Sequence, residues 1–288
     1  MANLRTIRRR IKSVQNIAKI TQAMEMIAAL KMKRAQERGV AGRPYAEKIT
    51  QVIADLAAIA HPSDSLHPLL QHRPVKNSVV VHITPDRGLC GGMVGNVNRK
   101  IGNFILEQRT QNKTVSLVTV GRKGHDYMRR YGVKILAEFS GLGDSPSQMD
   151  TLAISKIIID EYTNADTDAV YISYTQFVNT IVQKPVLLQV LPIKPAELPK
   201  MENVEYIYEP NSSVVLGGLL PRFIEMQVYH SILESIASEH SARMVAMRAA
   251  TDNAKELTTD LTLAYNKARQ EAITTELLDI TAGASALS

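Results

Sequence analysis

The last 67 residues, 222–288, contain no proline and a single glycine, Gly283, so nothing in them stops one helix from running almost their whole length. An uninterrupted helix over 222–282 would be ~90 Å long, whereas a compact globule of 288 residues is only ~50 Å across. Such a helix is expected to project from the body, and its apolar stripe then needs a cover. The first 43 residues are a second proline-free segment with helical spacing. The two ends of the chain are therefore expected to cover each other.

The spacing within each end supports this. Leu4, Ile7, Ile11, Val14, Ile17, Ile20, Met24 and Ile27 follow one another in steps of 3, 4, 3, 3, 3, 4 and 3, which is a coiled-coil seam with one stammer. After Leu30 the stripe gives way to Lys31, Lys33 and Arg34. Gly39, Gly42 and Pro44 predict a break there, with a separate helix over 45–60 and a loop through 61–74. In the C-terminal segment Met247, Ala250, Ala254, Leu257, Leu261, Ala264 and Ala268 form a regular seam, whose alanines imply a close approach of two backbones. A middle segment joining two helices that leave from the same side makes the pair antiparallel.

Between them the pattern changes to short β-branched runs alternating with amphipathic stretches. Strands are expected at 78–84, 114–120, 133–138, 168–175 and 185–193, and helices at 94–108, 125–131 and 148–162. The fold class is thus α/β: two long terminal helices forming an antiparallel coiled coil, plus a central Rossmann-like domain. The expected domains are 1–60, 75–210 and 211–288.

The net charge of +6 is unevenly placed. Residues 1–43 hold eleven Lys and Arg against Glu25 and Glu37, which makes that segment strongly basic and leaves the remainder slightly acidic. A solvated helix face, an acidic protein partner, nucleic acid and an anionic membrane are the readings of such a run. These 43 residues contain no aromatic to stack on bases, which leaves only phosphate binding by charge for nucleic acid. Cys90 is the only cysteine, so no disulfide forms within the chain, and a reducing compartment is expected. No run approaches the ~20 apolar residues that span a bilayer. The start Met-Ala-Asn-Leu-Arg lacks the apolar core of a secretory signal and is read as mature sequence.

Catalytic chemistry is hard to find. Pro85-Asp86-Arg87-Gly88-Leu89-Cys90-Gly91-Gly92-Met93 is a glycine-rich loop between a strand and a helix, a place where phosphates bind. It lacks the Gly-Lys-Ser/Thr ending of a P-loop and the three spaced glycines of a dinucleotide fingerprint. A tight structural turn is the leading reading, an anion site the alternative. Gly121-Arg122-Lys123-Gly124 reads as a strand-to-helix turn. Cys90 has no local His to make it a nucleophile and reads as a small, partly buried thiol. His61, His67 and His72 match no common metal spacing and read as solvated loop residues. No nucleophile elbow or carboxylate pair stands out, so the chain reads as non-catalytic, with no cofactor.

Four segments carry a resemblance. Ile273-Thr274-Thr275-Glu276-Leu277-Leu278-Asp279-Ile280-Thr281-Ala282-Gly283-Ala284-Ser285 resembles the C-terminal signature of the γ subunits of F-type ATP synthases. Lys19-Ile20-Thr21-Gln22-Ala23-Met24-Glu25-Met26-Ile27-Ala28 resembles that family's N-terminal helix. The central loop, here Thr84-Pro85-Asp86-Arg87-Gly88-Leu89-Cys90-Gly91-Gly92, and the long C-terminal helix, here Ala242-Arg243-Met244-Val245-Ala246-Met247-Arg248-Ala249-Ala250-Thr251-Asp252-Asn253, follow in the same order.

The resemblance implies a rotor: a helical shaft inside a hexamer of α and β subunits, with the α/β domain as a foot beside the ε subunit and the membrane c-ring. The nucleotide sites would belong to α and β. Arg269, Gln270 and Thr274 match family residues that hydrogen-bond a β-subunit loop, and Met24 with Lys31, Lys33 and Arg34 lies where the family shaft meets the acidic lever of β. Tyr206-Ile207-Tyr208-Glu209-Pro210 resembles the foot segment, with Tyr208 and Glu209 as c-ring contacts. The implied place is the cytoplasmic face of a bacterial plasma membrane, peripheral and held through the c-ring. The extra regulatory segment and cysteine pair of photosynthetic members are missing, so dithiol control is not expected. Two rivals make different predictions. A basic arm holding nucleic acid would lose affinity steeply with salt, and a phosphate-binding α/β enzyme would bind nucleotide by itself.

Overall fold

The computed structural model describes residues 4–59, 67–193, 209 and 211–287. Five α-helices and five strands follow in the order α1 (Leu4–Ile59), β1 (Asn77–Ile83), α2 (Met93–Thr110), β2 (Thr114–Val120), α3 (Arg122–Arg129), β3 (Lys134–Phe139), α4 (Leu152–Thr163), β4 (Ala169–Phe177), β5 (Gln183–Leu191) and α5 (Ser212–Leu287). Single 3-10 turns stand at Pro68–Leu70 and Met149–Thr151. The chain divides into two compact units. One is 29–242, and the other consists of the residues up to Ala28 and from Arg243 onward.

The larger unit is a doubly wound sheet of order β3-β2-β1-β4-β5, parallel except for the antiparallel edge strand β5. In a strand successive side chains face opposite ways, and here both faces are covered, so the central strands read as nearly continuous apolar runs. Val79, Val81 and Ile83 of β1 join Val118, Val120, Val170 and Ile172 in the main core with α1, α4 and α5. Val80 and Leu117 point the other way, against Ile101 and Ile105 of α2 and Met128 of α3. The helix α3 begins three residues before the expected 125, because the Asp86 carboxylate accepts the first N–H of the helix, from Arg122, at 3.0 Å.

The expected break at 39–44 does not occur: α1 is one helix of 56 residues with Pro44 inside it. An interior proline costs a helix ~3 kcal/mol. Against that, Ile49, Ile53 and Leu56 are 4%, 0% and 0% exposed in the core, and each such side chain contributes ~1.5–3 kcal/mol on burial. Tertiary packing therefore carries the helix through the proline. Gly42 serves the same end, since a Cβ there would stand 2.7 Å from the His230 ring of α5. Likewise α5 starts at Ser212 and runs through Pro221, ten residues before the long run that the sequence marks.

The smaller unit is a helix pair. Its buried and half-buried positions on α1 are Leu4, Ile7, Ile11, Val14, Ala18, Thr21, Glu25 with Met24 beside it, and Ala28. On α5 the facing series is Met244, Met247, Thr251, Ala254, Thr258, Leu261, Tyr265 and Ala268, with Arg243, Ala246, Ala250 and Ala272 half buried beside it. Both sets step in strict threes and fours. The Thr21 and Thr251 hydroxyls touch at 2.7 Å. Antiparallel register about that contact puts Ala28 opposite Met244, Val14 opposite Thr258 and Ile7 opposite Tyr265, so every knob position meets another.

This corrects the expected seam. Ile17, Ile20 and Ile27 are 48%, 59% and 51% exposed, and Ala18, Thr21 and Ala28 take the inward places. Leu257 and Ala264 turn out as well and Thr258 and Tyr265 take their places, whereas Ala250 stays half buried beside the buried Thr251. There is no stammer. A threonine is tolerated inside because its hydroxyl can bond back to the preceding turn: Thr258 donates to the Ala254 carbonyl, and of Thr21 and Thr251 one donates to its own turn, at Ile17 or Met247, while the other donates across the 2.7 Å contact.

Candidate functional site

Two kinds of place qualify: the crevice at the carboxyl ends of the parallel strands, where doubly wound sheets bind ligands, and the exposed helix faces. The crevice is closed by the chain itself. Asp86, on the loop after β1, accepts from Arg122 N at 3.0 Å and from Gly141 N at 2.9 Å, so one carboxylate ties together the loops that follow β2 and β3. It sits on the N–H groups a phosphate oxygen would use, and it carries the wrong charge for a phosphate neighbour.

The packing below is equally tight. Thr84 Oγ1 accepts from Gly124 N at 2.8 Å, and Thr84 N donates to the Val120 carbonyl at 2.8 Å. Gly121 has φ of +93°, and a Cβ there would fall 1.9 Å from the Thr84 carbonyl oxygen. What remains is a cavity of about 50 Å³ between these loops and Ile232, Ser235, Ile236 and Glu239 of α5. Ligand pockets run to ~300 Å³ or more. The glycine-rich loop is therefore a structural turn, with Leu89 and Gly91 at positive φ and Cys90 buried against Met93 and Ala242.

Beneath the loop His82 is fully buried, its Nε2 donating to Asn98 Oδ1 at 2.8 Å with Ser173 Oγ 3.4 Å from Nδ1. Burial pushes its pKa down to about 4, against a smaller upward pull from the Asn98 bond. It is a neutral core histidine. His67 caps the short turn at Pro68–Leu70 through Nδ1, and His61 lies outside the described residues. Among the described residues no group of His, Cys, Asp and Glu is placed to hold a metal, and no helix is long and apolar enough to cross a membrane. A second cavity of about 440 Å³ in the sheet unit lies between Ala35–Glu47 of α1, Phe177 and Gln227–Ala237 of α5.

The helix faces are open. On α1, Ile17, Ile20 and Ile27 stand at spacings of three and seven on the side turned away from the seam, with Met24 half buried at its edge. On α5 every described side chain from 273 to 282 is exposed. Ile273, Leu277 and Ile280 are 49%, 58% and 63% exposed and share one face. Gln270 and Thr274 flank that face, with Arg269 one turn before Ile273, so the three residues singled out in the sequence surround an apolar stripe. The Thr274 hydroxyl donates to the Gln270 backbone carbonyl at 2.9 Å, and Gln270 is exposed.

The basic residues of α1 separate. Lys33 and Arg34 are exposed, Lys33 standing 3.9 Å from Glu37. Lys31 is instead joined to Asp144 of the β3–α4 loop at 2.6 Å, and His240 Nε2 lies 3.1 Å from the other oxygen of the same carboxylate. Burial alone would raise the Asp144 pKa. The Lys31 hydrogen bond, the His240 charge and the Lys31 charge outweigh it and hold the acid below its ordinary value. Neither Asp86 nor Asp144 stands out in the sequence, since each acts on residues far away along the chain. Glu209 is exposed, and Tyr208 lies outside the described residues.

With this geometry in view, comparison with known proteins is informative. A family model described as ATP synthase matches residues 3–287. A protein of Dehalococcoides mccartyi strain CBDB1 named ATP synthase gamma chain is 65% identical over 288 residues, covering all of both chains. Another of that name from Herpetosiphon aurantiacus is 50% identical over the full length of each. Among solved structures, a chain of the Euglena gracilis mitochondrial ATP synthase OSCP/F1/c-ring assembly aligns with a TM-score of 0.67 at 17% identity, covering 99% of this chain and 94% of that one. A chain of the Tetrahymena thermophila central stalk and c-ring gives 0.63 at 23%, covering 80% and 99%. At these identities the structural matches speak for the fold.

Proposed function

The chain belongs to the ATP synthase γ-chain family, and on that premise we propose that it is the central-stalk rotor of an F-type ATP synthase, passing torque between a membrane c-ring and a catalytic hexamer of α and β subunits. It holds no catalytic site of its own. Its partners are the α and β subunits, the ε subunit and the c-ring, and it belongs to a membrane-associated complex. We place it on the cytoplasmic face of a bacterial plasma membrane, attached peripherally.

One observation carries the reading: the polar groups of the crevice, Asp86, Thr84 and His82, are spent on internal bonds, while large apolar side chains are left outward on the helix pair. Those side chains need a sleeve. The exposed run over 273–282, ringed by Arg269, Gln270 and Thr274, fits contact with a β-subunit loop. Met24, and further along α1 the basic Lys31, Lys33 and Arg34, fit the acidic lever of β, with Lys33 and Arg34 the more exposed. Attraction of that kind weakens with salt. Tyr208 and Glu209 are proposed as c-ring contacts, and 75–210 as the foot.

The test is ATP hydrolysis by purified α and β subunits with and without this chain, followed by observation of a bead attached to it. A complex with one copy of the chain and stepwise rotation in one direction is expected. No complex and unchanged hydrolysis would overturn the reading.

A further inference from the structure

We propose that Asp144 is a torsional brace, the residue through which the sheet unit grips both long helices where they pass into the helix pair. This rests on the rotor reading. The two helices cross from one unit to the other at Ala28/Ala29 and Ala242/Arg243. Lys31 lies three residues beyond Ala28, and His240 three residues before Arg243. Asp144 takes hold of one helix with each carboxylate oxygen, Oδ2 on Lys31 Nζ at 2.6 Å and Oδ1 on His240 Nε2 at 3.1 Å.

The loop that carries Asp144 is itself fixed at two points. Gly141 N donates to Asp86 Oδ2 at 2.9 Å, which joins the loop to the one after β1, and the Pro146 carbonyl lies 3.5 Å from the Tyr229 hydroxyl. Gly141 and Gly143, at φ of +77° and +74°, give the backbone between these points a shape few other residues adopt. Ser238 on the Thr175 carbonyl and Ser241 on the Thr180 carbonyl each hold α5 alone. Asp144 differs because its hydrogen bond to Lys31 and its close charge contact with His240 are split between two helices. Rotation of either helix about its own axis, or sliding of one past the other, lengthens one of these two contacts.

The Lys31–Asp144 pair is half exposed and adds little to stability, so that pair, kept only for stability, would show a small effect everywhere. A brace shows its effect under twist. In an assembled complex held by its α and β subunits, the angular variance of a bead on the stalled rotor reports torsional stiffness. Asp144→Ala is expected to raise that variance about twofold, and Asp144→Asn, which keeps the shape of the side chain but not its charge, by about half as much. The melting temperature of the complex should be unchanged. Raising salt from about 0.05 M to about 0.5 M should loosen the native rotor more than the Asp144→Ala rotor, because screening removes one attraction the variant lacks, over and above the β-lever attraction both share. Should Asp144→Ala fail to assemble, Asp144→Asn decides. Variance equal to native in a rotating complex overturns the brace and leaves the rotor intact, whereas a native complex that does not turn overturns the rotor reading and the brace with it.

Discussion

The sheet unit and the helix pair treat their side chains in opposite ways. In the sheet unit Asp86, Thr84, His82 and Asn98 are all bonded inward, and the crevice where relatives of this topology bind ligands is reduced to about 50 Å³. In the helix pair Ala18, Thr21, Ala28 and Ala254 take inward positions beside Ile7, Ile11 and Leu261, while Ile17, Ile20, Ile27, Ile273 and Leu277 face out. A chain that hides its polar groups and shows its isoleucines is made to be enclosed by other proteins. Its chemistry is mechanical.

The sharpest way to break the comparison is at Gly121, where the sheet unit is tightest. Gly121→Ala combines a positive φ with a Cβ 1.9 Å from the Thr84 oxygen, and backbone strain and overpacking together should cost ~3–5 kcal/mol in urea unfolding. A change under ~1 kcal/mol would mean that the closed crevice yields easily.

His82 comes next. Its pKa is lowered to about 4 in the folded chain, against ~6.5 unfolded, so the unfolded chain takes up the proton first as pH falls. Its contribution is complete above pH ~6.5 and is lost between ~6.5 and ~4, a change of ~3 kcal/mol at 1.36 kcal/mol per unit. Comparing the pH dependence of stability with that of His82→Gln isolates it from other acids. Equal slopes for the two proteins across that window would show that the histidine is not buried as described.

The strands were legible because β-branched runs at regular spacing announce them, and β1 and β2 fall within a residue of expectation. The helix interior at Pro44 was not, because the side chains that hold it, Ile53 and Leu56, repay the proline only once the sheet is in place. The seam was half legible. Counting isoleucine as inside and threonine as outside shifted it, although the unbroken three-four spacing of Ala18, Thr21, Glu25 and Ala28 was available. Asp144 was invisible, since its Lys31 partner is 113 residues away, and no local pattern encodes a loop that returns to two helices. Arg269, Gln270 and Thr274 were found through a motif, and the geometry adds the apolar stripe they surround.

The threonine pair sharpens the comparison from the helix side. Thr21→Val or Thr251→Val alone removes one member of the 2.7 Å buried contact and should cost ~1 kcal/mol. Replacing both exchanges a satisfied polar pair for two apolar groups of similar size and should be near neutral. The double-mutant cycle measures the difference. Strict additivity would mean that the two hydroxyls do not see each other and that the register drawn from them is wrong.

The smallest effect on the chain itself is the most telling about its surroundings. Ile20→Ser and Ile27→Ser remove apolar side chains that are 59% and 51% exposed, so unfolding of the isolated chain should change by less than ~0.5 kcal/mol. In a complex the same side chains would be covered by α and β. Each loss of burial there is worth up to ~2 kcal/mol, so the double variant should weaken assembly with the hexamer by tenfold or more while the free chain barely notices. A buried residue behaves the opposite way: Ile53→Ala in the sheet unit should cost ~2–5 kcal/mol in the free chain. If Ile20→Ser and Ile27→Ser destabilise the free chain as Ile53→Ala does, the outward stripe is part of a core and the sleeve is not needed. If they spare both the chain and the assembly, the hexamer meets the shaft on another face.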